Sequence, residues 1–358
     1  MPRTRDVDGH RLLEQVARRC ARADDPLRLL QDVAAVVRRA VPYAAAGWLL
    51  VDPDTLLLTG VHAEGVTRAQ HLELIEAELT GDDVNRFWEL AERDVAAASL
   101  SAATGGDLSR SARWARVYGP AGYGDELRTV FRSGSTTWGH ACLTRRADEP
   151  SFAPTEVALV ARACPHVGSG LRASLLLASA PSPRDEDAPA LVVLDDDGTV
   201  RSVSPRALER LGPLEDASLA TTIVLHEVAQ RTRALAAGAP GPPALARARS
   251  VTGEWLVVRG TLLDDGRAAL VCETATRAQV APVLLRLHQL TDREREVTQL
   301  LLRGTSTAAL ARQLWITPET VRGHVKTIFA KLGVNSRPQL AALLADEPAT
   351  GVVMSGTR

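Results

Sequence analysis

Thr317-Pro-Glu-Thr-Val-Arg-Gly-His-Val-Lys-Thr-Ile-Phe-Ala-Lys-Leu332 carries the clearest structural signals in the C-terminal part of the chain. Thr317 is a favourable N-cap residue, and Pro318 suits the first helical position because its missing N–H has no helical partner there in any case. An apolar stripe at helical spacing is formed by Val321, Val325, Ile328 and Leu332. The opposite face is formed by Glu319, Arg322, Gly323 and Lys326. The pattern predicts an amphipathic helix whose open face carries cations around a glycine.

Further helices are predicted on both sides of this stretch. A short helix over 307–313 precedes it, and the connection of three residues, 315–317, is typical of a helix-turn-helix. An earlier helix over 292–303 begins with Thr291 and Glu294, which have the spacing of a capping box. A fourth helix follows the quoted stretch. Four short helices in this order predict a small all-α domain.

The charge of this region differs from that of the rest of the chain. Residues 290–346 hold eight Lys and Arg against five Asp and Glu, so their net charge is +3, whereas the whole chain is at −1 and residues 1–289 are at −4. A local excess of cations beside a helix-turn-helix indicates binding to phosphates. The alternative is an ordinary solvated helical bundle, which explains neither the caps nor the placement of the cations.

The region resembles the LuxR-type helix-turn-helix. The resemblance covers about sixty residues and is carried by many spaced positions. They are Leu290-Thr291, Arg293-Glu294, Glu296-Val297, Gly304, Ser306, Leu310-Ala311, Leu314, Ile316, Thr320-Val321-Arg322, His324-Val325, Ile328, Lys331-Leu332-Gly333-Val334 and Ser336-Arg337. Thr298 and Trp315 depart from the usual pattern, at positions that do not read bases.

This resemblance implies roles for particular residues. Base edges would be read by residues on the open face of the recognition helix, namely Arg322, Gly323 and Lys326. The DNA backbone would be contacted by Thr320, His324 and Lys331. Glu294 and Arg337 would form a structural brace between the first and the fourth helix.

The resemblance also implies partners. The family binds double-stranded DNA as a homodimer, with recognition helices in major grooves about one helical turn, ~34 Å, apart. Its dimer contact corresponds here to the fourth helix, through Leu340, Leu343 and Leu344. RNA polymerase is a further candidate partner.

The first half of the chain has a different pattern. Residues 9–178 show two leading amphipathic helices, an antiparallel sheet interrupted by helices, and a long closing helix from about Pro154. This order resembles a GAF sensor domain. The entry into the last helix, Phe152-Ala-Pro-Thr-Glu156, is similar to that of the family, although Ala153 replaces the expected Ser or Thr.

The middle of the chain predicts a second sensor-like domain. Residues 179–189 are charged and rich in proline, as linkers are. Residues 190–282 then read as two strands, helices and three strands, which resembles a PAS domain. The predicted fold class is therefore α+β: two antiparallel-sheet sensor domains followed by an all-α LuxR-type domain at 284–346, with a disordered tail at 347–358.

A ligand pocket is one interpretation of the scarce aromatic residues in the first domain. Trp138, His140 and Cys142 alternate along one predicted strand, so they are expected to share a face. Together with Trp48 they would line a pocket between sheet and helices, the usual ligand place in a GAF domain. The alternative is plain core packing, because only 4% of the residues are aromatic and such side chains are usually buried.

Other chemistries find little support in the sequence. Asp195-Asp-Asp197 after an apolar strand is like the phosphoacceptor end of a receiver domain, but it also has the pattern of a hairpin turn ending in Asp-Gly. The four cysteines have no metal-ligand spacing, and no catalytic or phosphate-binding motif occurs. We therefore expect no cofactor, no metal and no catalytic residue.

These patterns together predict a DNA-binding transcription regulator whose front domains couple a signal to DNA binding. No apolar run approaches the ~18 residues of a membrane span, and the start of the chain has no secretory core, so we expect a cytoplasmic protein without membrane contact. The signal is expected to be an unknown small-molecule ligand of the sensor domains. Two alternatives stay open: front domains used only for protein contacts or dimerisation, and a sensor enzyme containing a GAF domain.

Overall fold

The computed structural model describes residues 3–23, 25–80, 83–177, 190–212, 219–250 and 252–345. It divides the chain into two compact units, Met1–Thr274 and Ala275–Arg358. The predicted linker at 179–189 and the predicted tail at 347–358 lie outside the described residues. No described helix is long and apolar enough to cross a membrane.

The first unit begins with a five-stranded antiparallel sheet in the order β2-β1-β5-β4-β3. Its strands are β1 (Ala45–Val51), β2 (Leu58–Glu64), β3 (Ala97–Ser99), β4 (Tyr123–Ser133) and β5 (Thr136–Arg146). The helices around it are α1 (Arg3–Cys20), α2 (Pro26–Ala40), α3 (Arg68–Thr80), α4 (Phe87–Glu92), α5 (Leu100–Thr104) and α6 (Pro154–Leu177). The long helix α6 packs on β4 and β5 and contacts α1 and α2.

A second five-stranded antiparallel sheet follows in the order β7-β6-β10-β9-β8. Its elements are β6 (Ala190–Leu194), β7 (Val200–Val203), α7 (Pro205–Leu211), α8 (Leu219–Ala236), β8 (Leu245–Arg249), β9 (Trp255–Leu262) and β10 (Ala268–Thr274). Counted within each sheet, both orders are second, first, fifth, fourth, third strand. The chain therefore builds the same antiparallel arrangement twice.

The two sheets belong to one compact unit because several elements pack across the gap between them. Helix α8 contacts β9 and β10 of the second sheet and also β2 and α3 of the first part. A buried ion pair joins Asp52, after β1, to Arg247 in β8, with Oδ2 and Nη1 2.9 Å apart. The Thr55 hydroxyl donates to the carbonyl oxygen of Leu245 at 2.9 Å. Loss of either partner of this ion pair would leave the other charge largely buried and uncompensated.

The second unit is helical. It consists of α9 (Arg277–Leu287), α10 (Asp292–Leu302), α11 (Thr307–Gln313), α12 (Pro318–Leu332) and α13 (Arg337–Leu344). Its core contains apolar residues from all five helices, among them Leu285, Val297, Leu310, Ile328 and Leu340. Helix α9 contacts α13, so it belongs with the C-terminal helices.

The predicted fold class is confirmed: two antiparallel sheets with helices are followed by a helical C-terminal unit. The predicted start of that unit at 284 falls inside α9, whereas the structure places the division between Thr274 and Ala275. The missed helix carries a capping box between Thr276 and Gln279, and this signal is present in the sequence. The C-terminal unit thus has one helix more than we expected.

Candidate functional site

The strongest candidate interface lies on α12 of the second unit. The side chain of Thr317 accepts a hydrogen bond from the backbone N–H of Thr320 at 3.1 Å and caps the helix. Val321, Ile328 and Leu332 are buried in the core of the unit, which fixes the rotation of the helix about its axis. The face opposite this stripe is consequently directed to solvent.

The outer face of α12 carries two basic residues with a glycine between them. Arg322, Gly323 and Lys326 are exposed, as predicted, and His324 is half-buried. A Cβ atom at Gly323 would meet nothing within 4 Å, so the packing of this unit does not require the glycine. Arg322 forms an exposed ion pair with Glu319, whereas Lys326 has no ion-pair partner among the residues described.

Beside this face lies a shallow groove. Its volume is about 760 Å³, and its walls come from α12, the start of α11 and the segment before α13. The guanidinium groups of Arg322 and Arg337 and the ammonium of Lys326 border it. Three cations around one open concave surface suit a polyanion.

The expected brace between Glu294 and Arg337 is not what the structure shows. The carboxylate of Glu294 accepts from the ammonium of Lys331 at 2.6 Å, and also from the backbone N–H of Thr291 at 2.7 Å. Arg337 instead donates to the carbonyl oxygen of Thr305 at 3.2 Å. Glu294 is therefore paired with Lys331 and not with Arg337, and the pair joins α10 to α12.

The same contact changes the interpretation of Lys331, which we predicted at the DNA backbone. Its ammonium also donates to the carbonyl oxygen of Gln289 at 3.0 Å, so it is held within the unit. Burial opposes the ionisation of Glu294, but hydrogen bonds from Lys331 and Thr291 outweigh it and lower the pKa of the carboxyl. Lys331 thus serves the packing of α12 rather than its outer face.

Trp315 is the feature of this unit that sequence reasoning left unused. It lies in the turn between α11 and α12, its side chain is 93% exposed, and its φ is 55°. A left-handed backbone is unfavourable for a large L-residue, and an exposed indole buries no apolar area. The signal in the sequence was the bulky residue at a turn position.

The first unit contains a cavity of about 790 Å³. Its floor is the face of the first sheet that carries Leu49, His140 and Cys142, and α3 and α4 form its side walls. Helix α8 and the segment 237–242 cover it from the second sheet. Such a volume is typical of sites for small organic molecules.

The polar groups in the wall are mostly satisfied. Arg128 bonds to Glu78 at 2.6 Å and to Glu126 at 3.0 Å. The ring of His140 stacks on Phe87 with centroids 4.4 Å apart. Burial, together with the charge of Arg128, lowers the pKa of His140 to about 3, so this imidazole is neutral. Its Nε2 is buried and has no hydrogen-bond partner among the residues described.

The predicted pocket residues separate in the structure. His140 lines the cavity, as expected. Trp48 pairs with Ala141 while Leu49 pairs with His140, so Trp48 lies on the opposite face of the sheet, where it stacks on Phe131. Trp138 is fully buried and is not part of the cavity wall. Both tryptophans are therefore core residues and not pocket residues. Among the described residues there is also no group of three or more His, Cys, Asp or Glu side chains that could hold a metal ion.

Known proteins resemble the chain mainly through the C-terminal unit. The family model for bacterial regulatory proteins, luxR family, matches residues 288–344. The nitrate/nitrite response regulator protein NarL of Escherichia coli (strain K12) is 30% identical over 170 residues, which cover 44% of this chain and 74% of that protein. The spore germination protein GerE of Bacillus subtilis (strain 168) is 46% identical over 50 residues, 14% of this chain and 68% of that protein.

Solved structures resemble the chain at lower identity. The GAF domain/HD domain protein from Geobacter sulfurreducens is 14% identical, covers 43% of this chain and 95% of that chain, and has a TM-score of 0.32. SdiA of Escherichia coli is 10% identical, covers 91% and 93%, and has a TM-score of 0.35. These scores are too low to assign a fold, so the description of the first unit rests on its own strand orders.

Proposed function

The chain belongs to the luxR family of bacterial regulatory proteins and is a DNA-binding regulator, and we propose that it reads DNA with the outer face of α12. The observation that carries this proposal is the exposed set Arg322, Gly323 and Lys326, placed opposite a buried stripe that fixes the orientation of the helix. Arg and Lys donate to guanine in the major groove, and a glycine between them lets the helix backbone approach the bases. None of these three exposed residues is needed for the packing of α12 in its unit.

The backbone of the duplex has its own candidate contacts. Thr320 lies in the first turn of α12, where the positive end of the helix dipole favours phosphate. His324 follows one turn later and is half-buried. Arg337 borders the groove beside α12 and replaces Lys331 in our proposal for a phosphate contact. Phosphate contacts of this kind position the helix without reading sequence.

We propose that the regulator acts as a homodimer through α13. Leu340 and Leu344 are buried within their own unit, so of the three leucines that we predicted for the contact only Leu343 is available, with 36% of its side chain exposed. Exposed Ala342 lies beside it. We further propose that this transcription regulator acts in the cytoplasm and that RNA polymerase is one of its partners.

The front unit is the part of the chain that we propose senses the signal. The cavity lies within one compact unit, so a molecule bound there would contact the first sheet and also α8, the helix that packs on the second sheet. A ligand shifts a regulator between states only if it binds one state more tightly. Native mass spectrometry of the full chain, before and after mild denaturation, tests this part: a small mass that leaves on unfolding supports it.

The DNA-reading proposal is tested by selection from a random duplex library with the full-length chain. We expect enrichment of a two-fold symmetric site with half-sites about one helical turn apart. A single half-site would contradict the homodimer but not the reading face. Absence of any enriched sequence would overturn the proposal.

A further inference from the structure

The cavity of the first unit is closed by a helix that comes from the second sheet. Ile223, Glu227, Arg231 and Ala234 follow each other along one face of α8, and all four line the cavity. The segment that follows the helix, up to Pro242, forms the adjoining wall. The chemical character of this cover determines which molecules the cavity accepts.

Arg231 differs from the other cations in the wall. Arg128 is neutralised by Glu78 and Glu126, and Arg86 pairs with Glu89 at 3.1 Å. Among the residues that the structure describes, Arg231 has no carboxylate within ion-pair distance. Its Nε donates to the carbonyl oxygen of Pro242 at 2.8 Å, and its Nη2 donates to that of Pro240 at 3.0 Å.

The segment 240–242 is shaped around this guanidinium. Gly241 has a φ of 126°, and a Cβ atom there would lie 2.6 Å from Nη2 of Arg231. The side chain of Arg231 is only 3% exposed, and burial lowers its pKa. A buried cation that contacts only carbonyl oxygens keeps an uncompensated charge, which is unfavourable unless an anion joins it.

The carboxyl of Glu227, one turn earlier on the same face, does not provide that charge. Its Oε2 accepts from the backbone N–H of Leu58 in β2, so it is turned toward the first sheet. Burial raises its pKa to about 8, despite that hydrogen bond, and the carboxyl is mostly protonated at neutral pH. Two carboxyl groups in one cavity therefore need not repel each other.

The remaining wall is mainly apolar. It is formed mostly by aliphatic and aromatic side chains from β1, α3, α4 and α8, and it also includes three carboxylates: Asp54, which pairs with Arg247, Glu78, which pairs with Arg128, and the exposed Glu92. Those that matter most for a bound apolar group are Leu49, Leu74, Ile75, Leu79, Phe87 and Ile223. A cavity with an apolar body and one uncompensated cation at its cover suits an amphipathic anion.

We propose that the cavity binds one mainly apolar organic acid, with its carboxylate at Nη1 of Arg231 and its hydrocarbon part against Leu49, Ile75 and Ile223. The proposal rests on the proposed sensing role of the front unit and names the class of its ligand. Nε and one N–H of Nη2 are already held by carbonyl oxygens, so Nη1 is the nitrogen with both N–H groups open to a charge-assisted hydrogen bond. The acid would join the first sheet to α8, because its partners come from β1, α3 and α8.

The test is displacement of the neutral dye N-phenyl-1-naphthylamine from the full-length chain by decanoate or by 1-decanol. The two molecules share a hydrocarbon chain and differ in the head group. At pH 7.5 decanoate should displace the dye at a concentration on the order of ten-fold lower, as a hydrogen bond to a charged group predicts. Arg231→Met should abolish this preference and leave displacement by 1-decanol in place, whereas Arg231→Lys should retain it.

Arg233→Met is the matched control, since Arg233 lies on the same helix but binds the carbonyl oxygens of Leu194 and Asp195 outside the cavity. It should preserve the preference for decanoate. Equal displacement by both molecules, or a preference that survives Arg231→Met, overturns the proposed ligand class while the cavity remains a binding site. If Arg231→Met does not fold, the ligand class is still tested by comparing displacement by decanoate and by 1-decanol in the wild type and in Arg231→Lys. If the dye does not bind, isothermal titration calorimetry with decanoate and with 1-decanol replaces the displacement assay, and binding of neither molecule overturns the ligand class and the sensing role together.

Discussion

Lys331 and Glu294 form an ion pair, with Nζ and Oε2 2.6 Å apart, that ties the recognition helix α12 to the first turn of α10. The same carboxylate accepts from the N–H of Thr291 and so completes the capping box of α10. One buried carboxylate thus anchors the start of one helix and the end of another. The ion pair therefore adds to the core contacts that hold the helix carrying the cation face.

The first prediction concerns that pair. Glu294→Gln keeps the size of the side chain and an oxygen for the cap, but it removes the charge opposite Lys331. We expect a loss of about 1–3 kcal/mol in the free energy of unfolding of the C-terminal unit. Urea unfolding of the full chain, followed by far-ultraviolet circular dichroism, measures it.

Lys331→Met should have a similar effect, and it should not add to that of Glu294→Gln in the double variant, because both remove one interaction. Arg337→Met serves as the comparison. If the effects of Arg337→Met and Glu294→Gln on the free energy of unfolding were coupled, Arg337 would be the partner of Glu294, as we first expected from the sequence.

The second prediction concerns base reading. Arg322→Ala should weaken binding to the selected duplex by about 1–3 kcal/mol and relax discrimination at one base pair. Fluorescence anisotropy with the selected duplex and its single-base-pair variants, at one fixed salt concentration, provides the measurement. Arg303→Ala is the control: it removes an equally exposed cation that lies at the end of α10. If both variants kept full discrimination, the assignment of the reading face would be wrong.

A third prediction follows from the backbone of Trp315. Since its φ is 55°, glycine suits this position better than any L-residue. Trp315→Gly should therefore be more stable than Trp315→Ala by about 1 kcal/mol. The comparison of two small residues separates the backbone effect from the loss of the indole. Equal unfolding midpoints of the two variants would show that the turn relaxes to a different conformation.

The fourth prediction concerns pH. Burial raises the pKa of Glu227 from 4.5 to about 8, so the folded first unit holds a proton that the unfolded chain releases. Its contribution to stability is complete below pH 4.5 and is lost as pH rises toward 8, by at most about 1.4 kcal/mol per pH unit. Glu227→Gln removes this dependence, because the amide does not titrate.

The measurement is chemical unfolding of wild type and Glu227→Gln at pH 5, 6, 7 and 8. The difference between the two proteins isolates Glu227 from other titrating groups, such as His140. We expect the stability of wild type to fall relative to the variant across this series. A constant difference would show that the carboxyl is ionised in the folded protein over the whole range.

The features predicted best are those that depend on neighbours close in sequence. The helix at 317–332 was predicted with its cap and its buried face, because both depend on contacts within four residues. The two sheets were predicted because each hairpin is local. Helix α9 was missed, although its capping box is equally local, because the apolar spacing there is interrupted by Pro282.

The features predicted poorly depend on distant parts of the chain. Lys331 and Arg337 lie at similar separations from Glu294, and only the packing of α12 on α10 selects the first. The face of Trp138 was assigned from strand alternation, yet the ladder between β4 and β5 shifts register near Phe131. One extra residue in a strand changes which side chains point to the same side.

The family, the DNA-binding helix and its cations can be recognised from the sequence alone, because each depends on residues that lie close together in the chain. In contrast, α8 covers the first sheet and brings Arg231 over its apolar floor only through packing between distant segments. The physical reason is that a site between two sheets is formed by residues far apart in the chain. Their proximity arises from burial of apolar area between layers, and no local pattern records which layers will meet.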